Sequence, residues 1–241
     1  MGEPACPAAA LTIGVVGLGR LGTAVAAACA DHSLPVRLTA TRTGGWSARS
    51  VPAVLVDASG RDGAGAAIGY AERHRLPLVE CVSDLDDDQE AALAGLAELT
   101  PVVRAVNLTV GNYLQTRLVS QLALLDAGLA KAGLSGQAGL LERHPTSKAH
   151  RPSATATALA GTWEQHASRP AADVASLRAG PAVSDHDLLW SRGSESLLLR
   201  HAVTSLDACA AGVIAAVRWA AQAPPGRYSM HQVFDSILEG P

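Results

Sequence analysis

The stretch LTIGVVGLGRLGTAVAAACADH, residues 11–32, decides the fold. An apolar run is followed by the glycine motif GLGRLG and then by an alanine-rich segment, which predicts a buried strand, a tight turn and a helix. In this setting Gly17 allows the turn, Gly19 lets the backbone approach a pyrophosphate, and Gly22 lets the helix pack closely on the strand. Helix N–H groups would then face the phosphates of a dinucleotide. A glycine turn without a nucleotide is the alternative interpretation.

The segments that follow continue this alternation of strands and helices. Short apolar segments, PVRLTATR, VPAVLVDAS, LPLVECVS and TPVVRAVN, are separated by helical ones such as DDDQEAALAGLAEL. This pattern predicts right-handed crossovers and a parallel, Rossmann-type sheet in an α/β protein. After Asn107 the pattern changes to a long amphipathic helix, alternating strands, further helices and a short tail. We therefore predict a second, α+β domain with a mixed sheet, and a domain boundary near Asn107.

The composition argues against several classes of protein. The net charge is −3 and no basic stripe alternates with aromatic residues, so we expect no nucleic-acid partner. No apolar run approaches the ~20 residues of a membrane helix, and the N-terminal MGEPACPAAA lacks the basic region of a signal peptide. No C-x-x-C pair or Cys/His metal spacing is present, so we expect no metal site and reduced, mostly buried thiols in a cytoplasmic protein. The cysteines are Cys6, Cys29, Cys81 and Cys209.

The second predicted strand indicates which nucleotide is bound. An NAD site usually places an acidic residue about 20 residues after the glycine loop, to hold the ribose 2′-OH. Here no acidic residue lies between Asp31 and Asp57, and the strand ends in Thr41 and Arg42. Arg42, together with Arg20, could hold a 2′-phosphate through charge-assisted hydrogen bonds, although a solvated loop arginine is the simpler interpretation. We predict NADPH as the cofactor, with NADH possible.

A second stretch, LLERHPTSKAHRPSATATALAG, residues 140–161, gathers titratable side chains in an otherwise apolar chain. His144 can donate a proton near neutral pH, and Lys148 can pair with a carboxylate or with developing negative charge. A polar turn then precedes a helix, whose N–H groups and hydroxyls could bind a carboxylate. The turn residues are Ser153, Ala154 and Thr155. An exposed basic loop with an ordinary serine N-cap is the alternative.

These motifs together resemble the dihydrodipicolinate reductase family. The family signature, approximately E-x-H-H-x-x-K-x-D-A-P-S-G-T-A, is matched at Glu142, His144, Lys148, Pro152, Ser153, Thr155 and Ala156. GLGRLG resembles the family loop G-x-x-G-R-M-G, VLVDAS resembles its V-D-F-T strand, and PVVRAVNLTVGNYL is similar to its P-V-x-x-A-P-N-F-S segment. Similarity continues through the C-terminal strands and the last helix, so the resemblance covers most of the chain.

The resemblance implies a division of labour between two domains. A Rossmann domain, residues 1–106 and 215–241, would bind NAD(P)H, and residues 107–214 would bind substrate and build a homotetramer. His144 would be the general acid, Lys148 would support substrate and proton transfer, and residues 153–155 would hold a carboxylate. Hydride would pass to a small cyclic imine or enamine carboxylate in lysine biosynthesis.

The cofactor site implied by the glycine loop, the strand ends and the resemblance includes two positions that also have a simpler interpretation. Cys81 ends a strand where the family has a G-T-T-G loop, and a small apolar filler is the simpler interpretation. Asn107 could form a turn or a hinge contact to the nicotinamide amide, and the resemblance favours the contact. His186 is expected to be structural. The predicted cofactor residues are Gly17, Gly19, Arg20, Leu21, Gly22, Thr41, Arg42, Ala58, Ser59, Cys81 and Asn107.

Departures from the signature leave the substrate open. Pro145 replaces the second histidine, His150 and Arg151 replace Asp-Ala, and Ala154 replaces a glycine. Dihydrodipicolinate itself, or a different amino-acid-derived imine in a specialised pathway, are both consistent with this pattern. The same residues are also consistent with a nucleotide-sensing homologue without catalysis, and with a dehydrogenase that oxidises an amino acid.

Overall fold

The structure is a computed structural model that describes residues 10–180 and 184–240, so Cys6 lies outside it. The chain forms two compact units. Unit 1 runs to Leu108 and resumes at Cys209, and unit 2 comprises Thr109–Ala208. The functional ranges inferred from the sequence, 1–106 with 215–241 and 107–214, stay a prediction of which part binds which ligand.

The helices and strands follow the chain in three groups. The first contains β1 (Ile13–Val16), α1 (Arg20–Asp31), β2 (Val36–Thr41), β3 (Gly45–Ala48), β4 (Val54–Asp57), α2 (Arg61–His74), β5 (Leu78–Glu80), α3 (Asp87–Ala97) and β6 (Pro101–Arg104). The second contains α4 (Val110–Ala130), β7 (Gln137–His144), α5 (Ala154–Ala167), β8 (Asp173–Arg178), β9 (Ser184–Arg192) and β10 (Glu195–Val203). The third contains α6 (Asp207–Ala220), β11 (Gly226–Ser229) and α7 (Met230–Glu239).

Unit 1 is built on a seven-stranded sheet with the order β11-β6-β5-β4-β1-β2-β3. All neighbouring strands are parallel except β2 and β3, which form an antiparallel hairpin. β1 is buried along its whole length, as a central strand covered by helices must be. Leucines of the sheet and of α3 form one core cluster with Ile68 of α2. The predicted Rossmann-type parallel sheet is confirmed.

The glycine loop brings α1 unusually close to the end of β1. Gly17 has a φ of +83°, a left-handed conformation that favours glycine. A Cβ on Gly22 would lie only 1.8 Å from the carbonyl oxygen of Gly17, so the first turn of α1 rests directly on the loop backbone. Close helix–strand packing therefore requires a glycine at position 22.

Unit 2 is a four-stranded mixed sheet, in the order β10-β9-β7-β8, packed against α4 and α5. β7 runs parallel to β8 and antiparallel to β9. Its core centres on Trp163 of α5, which is fully buried among Val119, Leu159 and Leu188. Buried Asp126 of α4 accepts hydrogen bonds from the Gly136 N–H and the Trp190 indole, both at 2.8 Å. The predicted mixed sheet is confirmed.

Two edge strands escaped the sequence analysis. β3 is exposed at every residue and has no apolar alternation to reveal it. The interpretation of the last residues as a short tail was wrong, because β11 pairs in parallel with β6 and α7 follows it. β11 has the polar sequence GRYS, so it is held by the neighbouring strand more than by its own pattern. Within the described ranges, no helix is long and apolar enough to span a membrane.

Replacing Gly22 by alanine should destabilise the protein by about 1–3 kcal/mol, because the new methyl group would overlap the Gly17 carbonyl and the backbone must shift. The matched control is Gly65→Ala on α2, where a Cβ meets no atom within 4 Å. That change should instead stabilise by up to about 1 kcal/mol through helix propensity. Urea unfolding followed by circular dichroism measures both, and equal effects of the two substitutions would contradict the packing argument.

Candidate functional site

A cavity of about 800 Å³ lies in unit 1 at the carboxyl ends of β1, β2 and β4. The chain passes from β1 to β2 on one side and reaches β4 on the other, so this is the point where the strand order reverses. Open parallel sheets bind ligands in the crevice at such a point. The fold therefore supplies a ligand site at the glycine loop.

The structure brings about half of the predicted cofactor residues together around this cavity. Those that line it are Gly17, Gly19, Thr41, Arg42, Ala58 and Ser59. The other five predicted residues do not line it. Three of them belong to the first turn of α1, namely Arg20, Leu21 and Gly22, while Cys81 follows β5 and Asn107 follows β6. Trp46 of β3 was not predicted, yet it lines the cavity beside Thr41–Thr43.

The turn between β2 and β3 presents Arg42 to this cavity. The Gly44 N–H donates a 2.8 Å hydrogen bond to Oγ1 of Thr41, which closes the turn. Arg42 is exposed and, within residues 10–180 and 184–240, has no ion-pair partner. An unpaired guanidinium at the end of β2 is suited to an anionic ligand.

Two buried carboxyl groups lie beside the cavity on neighbouring strands. Asp57 ends β4 and is the register partner of Glu80, which ends β5. Burial, and then the neighbouring Asp57, raise the pKa of Glu80 to about 9, and burial also raises the pKa of Asp57. Oδ1 of Asp57 accepts the Ser59 N–H at 2.9 Å, and Ser59 lines the cavity. Asp57 therefore holds part of the cavity wall in place, and Glu80 beside it is neutral near pH 7.

The cysteines of the described residues are free thiols. Burial raises the pKa of Cys29 to about 11 and also raises the pKa values of Cys81 and Cys209. A thiol with a raised pKa is a poor nucleophile at neutral pH. These properties favour the simpler interpretation of Cys81 as a small apolar side chain.

In unit 2 the chemistry centres on Glu142 of β7, which is completely buried. Its Oε1 accepts the Ser176 hydroxyl at 2.6 Å and the Arg178 guanidinium at 3.0 Å. Its Oε2 lies 3.0 Å from the donating Ser153 N–H and 3.3 Å from Nε2 of His144. Burial alone would raise the pKa of Glu142, but these hydrogen bonds outweigh it and lower the pKa to about 2. A fixed negative charge therefore lies against His144.

His186 of β9 completes this cluster. Its Nε2 lies 3.2 Å from Oγ of Ser153 and 3.8 Å from Oε2 of Glu142. Its ring packs edge-on against that of His144, with centroids 5.3 Å apart. Burial, and then the neighbouring His144, lower the pKa of His186 to about 4, so its imidazole is neutral near pH 7. The expectation that His186 is structural agrees with this hydrogen-bonded position.

Arg178 connects the cluster to the loop that carries Lys148. Its Nε donates to the Lys148 carbonyl at 2.9 Å, and a second guanidinium nitrogen donates to the carbonyl of His150. The Lys148 side chain itself is exposed. A buried arginine thus holds the backbone of an exposed lysine, which limits where its ammonium group can reach.

The start of α5 closes the loop. Ser153 is the N-cap, and its Oγ accepts the Ala156 N–H at 3.2 Å. Its own N–H is donated to Glu142, so Ser153 faces the cluster. Ala154 and Thr155 belong to the first turn of α5, where backbone N–H groups point out of the helix end. A carboxylate at this place would meet the positive end of a helix dipole.

The structure thus groups His144 and Ser153 around Glu142, with Lys148, Ala154 and Thr155 on the adjoining loop and helix start. Alternation along β7 places Glu142 and His144 on one face, a signal that the sequence does contain. The other members come from β8 and β9, where Ser176 and His186 are the register partners of Glu142. Sequence analysis did not assign site roles to Glu142, Ser176 or Arg178.

The nitrogen atoms of His144 and His186 and a carboxylate oxygen of Glu142 lie within 4.8 Å of one another, a spacing that could hold a metal ion. The oxygens of Glu142 already accept hydrogen bonds from three residues. A metal ion would compete with those donors, so the geometry favours a network of hydrogen bonds and ion pairs.

The fold and the glycine loop define a protein with a Rossmann-type unit and an added α+β unit, and the added unit carries the buried acid–base cluster. The family model for the C-terminus of dihydrodipicolinate reductase matches residues 116–234, about half of the chain. This match and the curated relatives confirm the predicted place of the chain in the dihydrodipicolinate reductase family, as a divergent member.

Similar curated proteins carry the name 4-hydroxy-tetrahydrodipicolinate reductase. The protein from Myxococcus xanthus is 31% identical over 66% of this chain and 63% of its own length. That from Halorhodospira halophila is 28% identical over 65% and 64%, so the match spans a little under two thirds of both relatives. The protein from Stenotrophomonas maltophilia is 27% identical over 89% of this chain and 93% of its own length.

Solved structures show the same fold. A dipicolinate-bound dihydrodipicolinate reductase from a Paenisporosarcina species has a TM-score of 0.72 at 14% identity, covering 92% of this chain and 98% of its own. An amine dehydrogenase from Mycobacterium smegmatis has a TM-score of 0.58 at 10% identity, covering 92% and 95%. At these identities the likeness establishes the fold alone.

The lowered pKa of His186 predicts a loss of stability in mild acid. A histidine whose pKa is lower in the folded protein contributes stability above its unfolded value of 6.5, and that contribution is lost as the pH falls towards 4. Between pH 6.5 and 4.5 the loss from this residue should be about 2 kcal/mol. Urea unfolding at the two pH values measures this loss of unfolding free energy. The loss should be smaller for His186→Gln than for the wild type. For His32→Gln, a control at an exposed histidine, it should equal that of the wild type.

Proposed function

We propose that the protein is an NADPH-dependent reductase that delivers a hydride to a cyclic imine or enamine carboxylate, with His144 as the general acid. The observation that carries this proposal is the pairing of His144 with an ionised, fully buried Glu142 beside the loop of Lys148. Family membership and the cavity at the glycine loop support it.

The residues around the cavity fit a dinucleotide. A Cβ on Gly19 would meet no protein atom within 4 Å, so open space adjoins the backbone at the start of α1, where a pyrophosphate would be held. Arg42 and Thr41, with Arg20 at the start of α1, would hold a 2′-phosphate, because no carboxylate ends β2. When bound, the reduced nicotinamide supplies the hydride.

Unit 2 would bind the substrate and supply the proton. Glu142 orients the His144 ring and would pair with its protonated form, so that a charged imidazole is not left isolated in a buried position. Lys148 would contact the substrate carboxylate or the developing negative charge. The first turn of α5, at Ala154 and Thr155, would bind a carboxylate through backbone N–H groups, while Ser153 holds the turn against Glu142.

Two substrate classes remain candidates within this function. Relatives named 4-hydroxy-tetrahydrodipicolinate reductase favour a dihydrodipicolinate-type substrate and a role in cytoplasmic lysine biosynthesis. Pro145 and Ala154, together with the exposed His150 and Arg151, change the loop and helix start that would contact it. These changes favour a different amino-acid-derived cyclic imine as the second candidate.

We further propose that the protein is a homotetramer assembled through the unit 2 sheet. One face of this sheet is turned away from α4 and α5. Each of the four strands contributes a leucine to this face, and these leucines are 45–53% exposed in the isolated chain. They are Leu141, Leu177, Leu189 and Leu198. An apolar face of this kind favours association.

Turnover tests the assigned acid. Consumption of NADPH would be followed with dihydrodipicolinate formed in the assay from pyruvate and aspartate semialdehyde by its synthase. His144→Ala should lose at least about 100-fold in turnover while NADPH binding is unchanged, because only the proton donor is removed. His32→Ala should keep full activity. Tight NADPH binding without wild-type turnover would redirect the search to other cyclic imines, and full activity of His144→Ala would refute the assignment.

Cofactor preference tests Arg42. Arg42→Gln should weaken NADPH binding about 10-fold or more and leave NADH binding nearly unchanged, because only NADPH carries the 2′-phosphate that the guanidinium would bind. Arg49 follows β3 directly and is also exposed, so Arg49→Gln is the matched control. This substitution should change the affinity for neither NADPH nor NADH. Isothermal titration calorimetry measures the affinities of the wild type and of both variants for NADPH and for NADH. An equal loss for both cofactors in Arg42→Gln would contradict the assignment.

A further inference from the structure

Trp46 is a large aromatic side chain in an unusual place. It lies on β3, an edge strand with four exposed residues, and it remains 42% exposed in a chain with only eight aromatic residues apart from histidine. Exposed tryptophan in an edge strand has no core to stabilise. The position of Trp46 therefore indicates contact with a bound molecule and not with the protein core.

The indole is held in place from one side. Its ring stacks on that of Tyr70 in α2, with centroids 4.8 Å apart and planes inclined by 22°. Tyr70 in turn packs against His74, at 4.4 Å, and against the core of unit 1. A ring fixed in this way loses little freedom when a flat ligand stacks on its other face.

The indole also adjoins the cavity at the glycine loop. Trp46 lines that cavity, whereas Tyr70 does not. Gly63 and Ala66 of α2, both small residues, line the same cavity. Arg42 and Thr43, at the tip of the same hairpin, line the cavity as well.

We propose that Trp46 is a stacking platform for the adenine ring of the nucleotide, working beside Arg42, which takes the phosphate on the adjoining ribose. This inference rests on the proposed nucleotide function and adds the group that binds the base. Aromatic side chains recognise the flat face of a base without reading its edges. The β2–β3 hairpin would thus bind the base through Trp46 and the 2′-phosphate through Arg42. Both side chains come from one short segment of the chain.

The test uses adenosine 2′,5′-bisphosphate and nicotinamide mononucleotide as separate probes of the two halves of the dinucleotide. Calorimetry on the full chain compares wild type with Trp46→Phe and Trp46→Leu. Trp46→Phe keeps an aromatic face and should bind the adenosine probe within about threefold of wild type, whereas Trp46→Leu should bind it about 10-fold more weakly. Neither should change binding of the mononucleotide. Quenching of tryptophan fluorescence by the adenosine probe should fall in Trp46→Phe.

Each other outcome overturns the inference in a distinguishable way. Undiminished binding of the adenosine probe by Trp46→Leu would refute the platform and leave the nucleotide function intact. An equal loss for both probes in Trp46→Leu would show that Trp46 only supports the hairpin. Failure of the wild-type protein to bind NADPH, NADH or either probe would remove the proposed function itself, and the platform with it.

Discussion

A buried negative charge organises unit 2. Glu142 is completely enclosed, and an isolated carboxylate in such a place would cost several kcal/mol. The structure compensates it with the Ser153 N–H, the Ser176 hydroxyl and the Arg178 guanidinium. These donors come from the start of α5 and from β8, so compensating one charge fixes the helix, the strand and the loop between β7 and α5 relative to β7. The geometry around His144 depends on that single requirement.

In unit 1 the pKa values of the buried carboxyl groups shift in the opposite direction from that of Glu142. Asp57 and Glu80 are as deeply buried as Glu142, yet burial raises their pKa values because too few donors face them. Arg104, the register partner of Glu80, gives its hydrogen bonds to Glu90 and to the Val82 carbonyl. A neutral Glu80 limits the negative charge beside a cavity suited to a dinucleotide, whereas an ionised Glu142 places a negative charge against His144. The number of available donors accounts for the difference.

Much of the architecture was predictable because strand periodicity and turn chemistry are local. The run from Leu11 to His32 predicted β1, the loop and α1, and the positive φ of Gly17 follows from the same motif. β3 and β11 were missed because edge strands with polar or exposed residues lack the apolar pattern that identifies buried ones. The capping box of Ser229 and Gln232 at the start of α7 was a local signal that could have predicted that helix.

The sequence by itself determined the family, the glycine loop, the absence of an acidic residue at the end of β2 and the placing of Glu142 and His144 on one face of a strand. All of these are short-range properties of the chain. Only the tertiary structure decided that Ser176, Arg178 and His186 surround Glu142, and that Tyr70 supports Trp46. Those neighbours come from elements 24 to 44 residues away in the chain, brought together by strand register and helix packing. No local pattern encodes such register, because it is set by the packing of the whole unit.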